Sequence, residues 1–253
     1  MAIMGNGRSN GQYTPCLQCP LRRCTALREF TAEELSFVQE MKADELHVDP
    51  GVSFLREGNS SEYLYTVLSG WAFRYKMLPD GRRQILNFAL PADMVGLQGS
   101  LMREMEHSVE ALTPLTLCVF PRTKLYELYS KLPSLAFDIT WLAAREEQLI
   151  DENLLSVGRR SALERTAYLL LHLFERAKEV GLTKNGSIQF PFTQQHLADT
   201  LGMSLVHTNK TLKRLSASNA IRWKERMFEI TDRAALERIA GDSGRQHRAR
   251  PFI

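Results

Sequence analysis

The sequence predicts an α+β fold in which a β-roll is followed by one long helix and then by a C-terminal winged helix-turn-helix. Three observations predict it. Residues 45 to 120 run as short β-branched and aromatic segments parted by turn signals. A helical stretch without internal Gly or Pro follows Pro133 for about twenty-four residues. Thr193 to Leu215 then carries a cap, a helix, a glycine turn and a second capped helix.

At 253 residues the chain has room for two modest domains, each with its own core. Its 44% hydrophobic and 24% charged residues place it among ordinary globular chains rather than disordered or fibrous ones. No run of about eighteen apolar residues occurs, and the opening MAIMGNGRSNGQ lacks the apolar stretch of a signal peptide, so a cytoplasmic location is expected. The net charge of +3 is uneven: from Gly158 onward there are 17 Lys+Arg against 9 Asp+Glu, while residues 1 to 157 are net acidic. The last third is therefore the part suited to a polyanion.

Residues 1 to 15 are polar and glycine-rich without periodicity and read as disordered; residues 1 to 30 form a flexible leader that carries a cysteine cluster. The roll occupies 31 to 132. It is introduced by Thr31-Ala-Glu-Glu34, a capping box that predicts a short helix from about Ala32 to Lys42. Behind it come segments such as Tyr63–Leu68, Trp71–Lys76, Gln84–Phe88 and Leu115–Phe120, separated by turns at Pro50-Gly51, Gly58-Asn59, Ser69-Gly70, Pro79-Asp-Gly81 and Pro91-Ala-Asp93. This spacing fits an antiparallel barrel or roll of about seven or eight strands, a pattern that other jelly-roll domains share. Arg82 and Arg83 read as a solvated hairpin tip.

Residues 133 to 158 are assigned to a dimerisation helix. Leu135, Ile139, Leu142, Glu146, Leu149 and Asn153 recur at 3-4 spacing, the seam of a two-stranded coiled coil in which polar residues fix register. A helix lying on its own barrel has the same spacing. With the seam reading, the chain is expected to be a homodimer.

Residues 159 to 240 form the next domain, opened by a second capping box, Ser161-Ala-Leu-Glu164, and an apolar face of Ala167, Leu170, Leu171 and Phe174. Thr193 can cap a helix holding Leu197, Ala198 and Leu201. Gly202 permits a tight turn, and Ser204 can cap a second helix packed through Leu212 and Leu215. Thr193, Gln195, Ser204, Val206, His207, Asn209, Lys210 and Lys213 are the expected contacts to double-stranded DNA; they supply donors for phosphates and bases, and Val206 an apolar contact for a thymine methyl. No acidic residue occurs from Leu201 to Leu215. Ile221-Arg-Trp and Met227-Phe-Glu-Ile230 flank a basic turn and read as the wing. A helical hairpin that binds a protein partner is the competing reading. The tail 241 to 253, with Arg245, Arg248 and Arg250, reads as disordered and solvated.

Cys16, Cys19, Cys24 and Cys118 are too few and too clustered for a disulfide scaffold, and point to a metal, a cluster or a redox-active thiol. A thiol oxidoreductase would place Cys16-x-x-Cys19 between a strand and a helix rather than in a polar leader. His47, His107, His172 and His196 show no catalytic spacing with Ser or Asp, so no enzyme is expected.

A roll with Gly51, Glu57-Gly58, Ser69-Gly70 and Asp80-Gly81, a long helix, and a helix-turn-helix with Leu201-Gly202 at its turn together resemble the Crp/Fnr family of bacterial regulators over roughly residues 30 to 240. The resemblance implies a cyclic-nucleotide-binding-like roll and a homodimer joined by the long helix. It also implies a two-fold DNA site read by the second helix of each helix-turn-helix, and contact with RNA polymerase if the chain is an activator. Family members often present Glu and Arg where this chain has Val206 and Lys210, so the target sequence does not carry over. Cyclic-AMP receptors in the family hold the ribose and phosphate with a glutamate and an arginine-serine or arginine-threonine pair; here His107-Ser108 stands in that place and the glutamate is missing, which argues against cyclic AMP. The four cysteines are similar to the arrangement by which oxygen-sensing Fnr proteins hold a [4Fe-4S] cluster, with Cys118 as the remote ligand and one residue fewer between Cys19 and Cys24. Zinc or a thiol-disulfide switch are the alternatives. With a cluster, residues 16 to 30 would be ordered against the roll, and oxygen would shift the dimer equilibrium.

Overall fold

The computed structural model describes residues 13–24 and 26–241. The leader before Tyr13 and the basic tail after Gly241, both expected to be disordered, lie outside the described residues. By its contacts the chain divides into two compact units. The first takes the residues up to Lys76 and Asn87–Glu147; the second takes Met77–Leu86 and the chain from Gln148 to the last described residue.

In the first unit, two short 3-10 turns, Cys16–Gln18 and Pro20–Arg23, precede α1 (Ala32–Met41). Thr31 caps α1 in the expected box: its side chain accepts from the Glu34 amide at 3.2 Å, and the Glu34 carboxylate accepts from the Thr31 amide at 2.8 Å. The strands of the roll are β1 (Asp44–Val48), β2 (Ser53–Leu55), β3 (Tyr63–Ser69), β4 (Ala72–Met77), β5 (Arg83–Ala89, of which Arg83–Leu86 count with the second unit), β6 (Met94–Val95), β7 (Ser108–Ala111) and β8 (Leu115–Pro121). A short helix α2 (Leu97–Met102) separates β6 from β7. The strands form two four-stranded sheets, ordered β1-β8-β3-β6 and β2-β7-β4-β5.

The period-2 alternation of strands decides what faces what. Along β8, Leu115, Leu117 and Val119 enter one apolar core together with Tyr65 and Val67 of β3. The intervening Cys118 and Phe120 enter a second core with Leu64 and Leu68. That second core also takes in Cys16 and Leu21 of the 3-10 turns and Leu35, Val38 and Met41 of α1, so sheet alternation alone delivers Cys118 to the cysteine-bearing segment. Gly70 shows how tight the roll is: at φ +90° it turns between β3 and β4, and a Cβ there would lie 2.3 Å from the Pro114 carbonyl oxygen.

Two helices follow, α3 (Lys124–Lys131) and α4 (Pro133–Arg159). Here the expected dimer seam is corrected. Leu135, Ile139 and Leu142 belong to the second core, beside Leu125, Leu128 and Cys118, and Leu149 is likewise buried. Glu146 pairs with Arg74, and Asn153 donates to the Leu86 carbonyl at 2.6 Å. The 3-4 stripe is thus the helix's intramolecular face, because an apolar stripe reports that one side of a helix is covered and not by what. Outside that stripe Phe137, Ile150, Leu154, Leu155 and Val157 are exposed.

The second unit begins its own core with α5 (Ala162–Glu179), capped by Ser161 and Glu164 as the sequence implies. It continues through β9 (Ser187–Gln189), α6 (Gln194–Leu201), α7 (Leu205–Ala217), β10 (Ile221–Lys224), β11 (Met227–Ile230) and α8 (Arg233–Ala240). The three strands pair in the order β10-β11-β9. Phe190 centres this core, its ring 4.9 Å from that of Phe228 and 4.5 Å from that of Phe192. Arg83 is not a solvated tip: its Nε donates to Asp199 Oδ2 at 2.9 Å, and the neighbouring Gln84 Nε2 donates to the Thr200 carbonyl at 2.9 Å, all within this unit.

Candidate DNA-reading helix and cysteine chamber

The turn between α6 and α7 is built from three local devices. Thr193 caps α6, its hydroxyl accepting from the His196 amide at 3.3 Å while its own amide donates to His196 Nδ1 at 3.1 Å. Gly202 adopts a left-handed conformation at φ +62°, and the Met203 amide closes the helix end on the Ala198 carbonyl at 3.1 Å. Ser204 caps α7 by accepting from the His207 amide at 3.2 Å. Leu212 and Leu215 are buried, and so are Thr208 and Thr211, whose hydroxyls donate back to the Ser204 and His207 carbonyls.

The opposite face of α7 is open. Val206 is 64% exposed and Leu205 42%, and Ser204, His207, Lys210, Lys213 and Arg214 are exposed as well. Of the expected contacts, Asn209 is only half-buried, not outward: its Oδ1 is buried and accepts no hydrogen bond among the described residues. Gln195 is exposed, yet its amide is bound to Asp199 at 2.6 Å, and the Thr193 hydroxyl is used in the cap. The structure adds Leu205 and Arg214 as exposed positions of α7, Arg214 one turn beyond Lys210. The wing turns at Glu225 and Arg226, both with positive φ, and holds Arg222 and Lys224 in solvent. The result is a projecting helix whose face offers cationic donors and apolar groups, with no carboxylate from Leu201 to Leu215.

The cysteines sit at the other site. Cys16, Cys19 and Cys118 line one chamber, together with Lys42, Thr14 and Phe120 among others, and Cys24 packs on the same apolar core. All four are free thiols. Among the described residues, no group of three or more His, Cys, Asp or Glu side chains is arranged to hold a metal ion. Burial pushes the Cys118 thiol up to about 12, against the lowering effect of the Lys42 ammonium. Burial raises the Cys16, Cys19 and Cys24 thiols too.

The cysteine segment is pinned at both ends. The Cys16 amide donates to Gln39 on α1 at 2.5 Å, the Thr14 amide donates to Glu45 at 2.9 Å, and Lys42 Nζ donates to the Thr14 carbonyl at 2.8 Å. Beyond Cys24, Arg28 makes a two-pronged ion pair with Glu34, at 2.9 and 3.1 Å, and a second pair with Asp138 on α4. Burial works to raise the Glu34 carboxyl, but Arg28, Ser134 and the Thr31 amide outweigh it and hold the group at about 2. The sequence shows Glu34 as a capping residue but not as the partner of Arg28; the Arg28–Glu34 and Arg28–Asp138 pairs and the Lys42 contact with Thr14 are supplied by the fold. The Lys42–Glu45 spacing was visible, but in isolation it reads as a surface pair.

Comparison with known proteins bears on both units. A profile of the cyclic nucleotide-binding domain matches residues 45–131, and one of the Crp-like helix-turn-helix domain matches residues 164–239. The chain is 30% identical over 231 residues to the nitrogen fixation regulation protein FixK of Bradyrhizobium diazoefficiens, covering 91% of this chain and 95% of FixK. It is 29% identical over 231 residues to the transcriptional activator protein FnrL of Cereibacter sphaeroides, covering 90% of this chain and 92% of FnrL. The solved structure of FixK2 from Bradyrhizobium japonicum superposes with a TM-score of 0.71 at 26% identity, over 80% of this chain and 98% of that one. Because the likeness to FixK runs through both units and not through one alone, the chain belongs to the Crp/Fnr family of DNA-binding transcription regulators.

Proposed function

We propose that this regulator binds a two-fold DNA site as a homodimer, and that a [4Fe-4S] cluster held by Cys16, Cys19, Cys24 and Cys118 makes its binding respond to oxygen or redox state. The observation that carries the signal reading is the convergence of Cys16, Cys19 and Cys118 on one buried chamber. Four soft thiol donors suit an iron-sulfur cluster. When bound, such a group supplies electron exchange and oxygen lability. The chain's own residues do the rest. Gln39, Glu45 and Lys42 fix the segment at Thr14–Cys16, and Arg28 fixes its other end to Asp138 of α4.

The exposed side of α4 supports the dimer. Ala143, Glu147, Ile150, Leu154 and Val157 follow one another at alternating spacings of four and three, the seam geometry expected of the helix but rotated away from Leu135 and Ile139. On DNA, Val206 and Leu205 offer methyl contacts and Lys210, Lys213 and Arg214 offer donors. Cyclic AMP does not suit the roll: burial, reinforced by Arg74 and Lys76, lowers His107 to about 4, so at neutral pH its imidazole brings no charge to a phosphate. Visible absorption and iron and sulfide analysis of anaerobically purified protein, paired with gel shifts under nitrogen and in air, test this function. A colourless, metal-free protein that binds DNA equally in both would overturn the signal reading.

A further inference from the structure

Lys42 is the C-terminal cap of α1 and is 1% exposed in its side chain, an unusual place for an ammonium. Its Nζ donates to Glu45 Oε1 at 2.7 Å and to the Thr14 carbonyl at 2.8 Å, and lies 4.9 Å over the centre of the Tyr13 ring. Glu45 stands beside Cys118 in the β1–β8 register, with Thr66 on the other side. Lys42 lines the cysteine chamber, and Glu45, in register with Cys118, stands next to it. Among the described residues lining that chamber, Lys42 alone carries a formal charge.

A buried ion pair is an inefficient way to hold a core. Removing two charges from water costs several kcal/mol each, and apolar replacements of the same volume are often as stable or more so. A buried pair beside a thiol site therefore calls for a reason beyond packing. Four thiolates around an iron-sulfur cluster make an anionic group, and an anion placed among Leu21, Phe30, Val38, Leu68 and Phe120 gains from a nearby cation.

We propose that Lys42 is the counter-cation of the cysteine chamber, a positioning residue that sets how readily the thiolate-held group gives up an electron, with Glu45 attenuating it. The inference rests on the cluster reading of the four cysteines. A fixed positive charge stabilises the more negative state of its neighbour, so its removal eases one-electron oxidation. Removal of the Glu45 charge leaves the ammonium uncompensated and does the reverse.

The test is a one-electron titration with ferricyanide, each of which takes one electron from the site, on full-length protein reconstituted anaerobically with iron and sulfide. Against wild type, Lys42→Met raises the oxidation equilibrium constant about tenfold and Glu45→Gln lowers it about tenfold. The double variant Lys42→Met/Glu45→Gln, which restores neutrality, returns close to wild type. Thermal unfolding of the metal-free proteins serves as the structural control, since a packing role would move all three variants the same way. Equal or same-direction potential shifts in the single variants overturn the role of Lys42. If Lys42→Met does not fold, Glu45→Gln and the double variant still carry the test. A wild-type chain that takes up no iron or sulfide overturns the cluster reading itself, and this inference with it.

Discussion

Arg28 meets Asp138 across 110 residues of chain: its Nε donates to the Asp138 Oδ2 at 3.0 Å, while its other nitrogens hold the buried Glu34. One guanidinium thereby ties the end of the cysteine segment to α1 and to the long helix α4. Removing it leaves two carboxylates, 4% and 7% exposed, with no cation between them. Arg28→Ala is expected to cost about 3 to 5 kcal/mol of stability, measured by urea denaturation. Asp138→Asn, which keeps the Arg28–Glu34 pair, costs less, about 1 to 2 kcal/mol. An Arg28→Ala protein within about 0.5 kcal/mol of wild type would show that the clamp is not formed.

Two buried groups give the stability curve a shape in acid. His107 titrates at about 4 in the folded chain against 6.5 when unconstrained, so only the unfolded state gains a proton between those values. Stability therefore falls from about pH 6.5 to about pH 4, by about 3 kcal/mol in all, and this group adds nothing further below that. His107→Gln flattens that window. Glu34 acts lower: its stabilisation is complete above about 4.5 and is lost as pH falls toward about 2. Thermal melts of both proteins across pH 7 to 3 check this order, and an unchanged slope above pH 4 in His107→Gln would contradict it.

The face of α7 sets expectations for the DNA. Lys210→Ala and Lys213→Ala should each weaken binding and reduce the slope of log affinity against log salt by about 1 if the ammonium meets a phosphate; a base-reading lysine instead relaxes preference at one position. Val206, 64% exposed, is expected to select a thymine methyl. Replacing that thymine by uracil in a selected site should weaken the wild type a few-fold and leave Val206→Ala unaffected. A site on which uracil is neutral for the wild type removes Val206 from the reading set.

Substitutions on the two faces of α4 should separate folding from assembly. Ile139→Ala opens a cavity at a residue 1% exposed and is expected to cost about 2 to 5 kcal/mol. Leu154→Arg, at a residue 71% exposed, should leave the melting curve of dilute protein nearly unchanged and abolish the dimer in sedimentation. A Leu154→Arg chain that remains dimeric would exclude this face as the seam.

The devices legible in the sequence were local ones. Capping boxes at Thr31 and Ser161, the cap at Ser204 and the glycine turn at Gly202 depend on residues a few positions apart, and the structure has each where the sequence places it. The α4 stripe failed as a seam because 3-4 spacing fixes a face of the helix but not its neighbour, and Leu135, Ile139 and Leu142 found theirs inside the same chain. Arg83 reads as a solvated tip for a related reason, since its partner Asp199 lies 116 residues away. Asn209 looked outward from spacing alone, yet its carbonyl oxygen is buried at the edge of the helix. Cys118 was legible as a chemical type, while the alternation of Leu117, Cys118 and Val119 that aims it at the leader became meaningful only once each face of β8 had a known core.

The most direct measurement is a paired one on full-length protein purified without oxygen: iron and sulfide content beside salt-dependent DNA affinity, before and after exposure to air. The account predicts about four iron and about four sulfide per chain, a coloured protein, and DNA affinity that changes together with loss of that colour in air. A protein that carries neither iron nor sulfide and binds its DNA site identically in air and under nitrogen would contradict it.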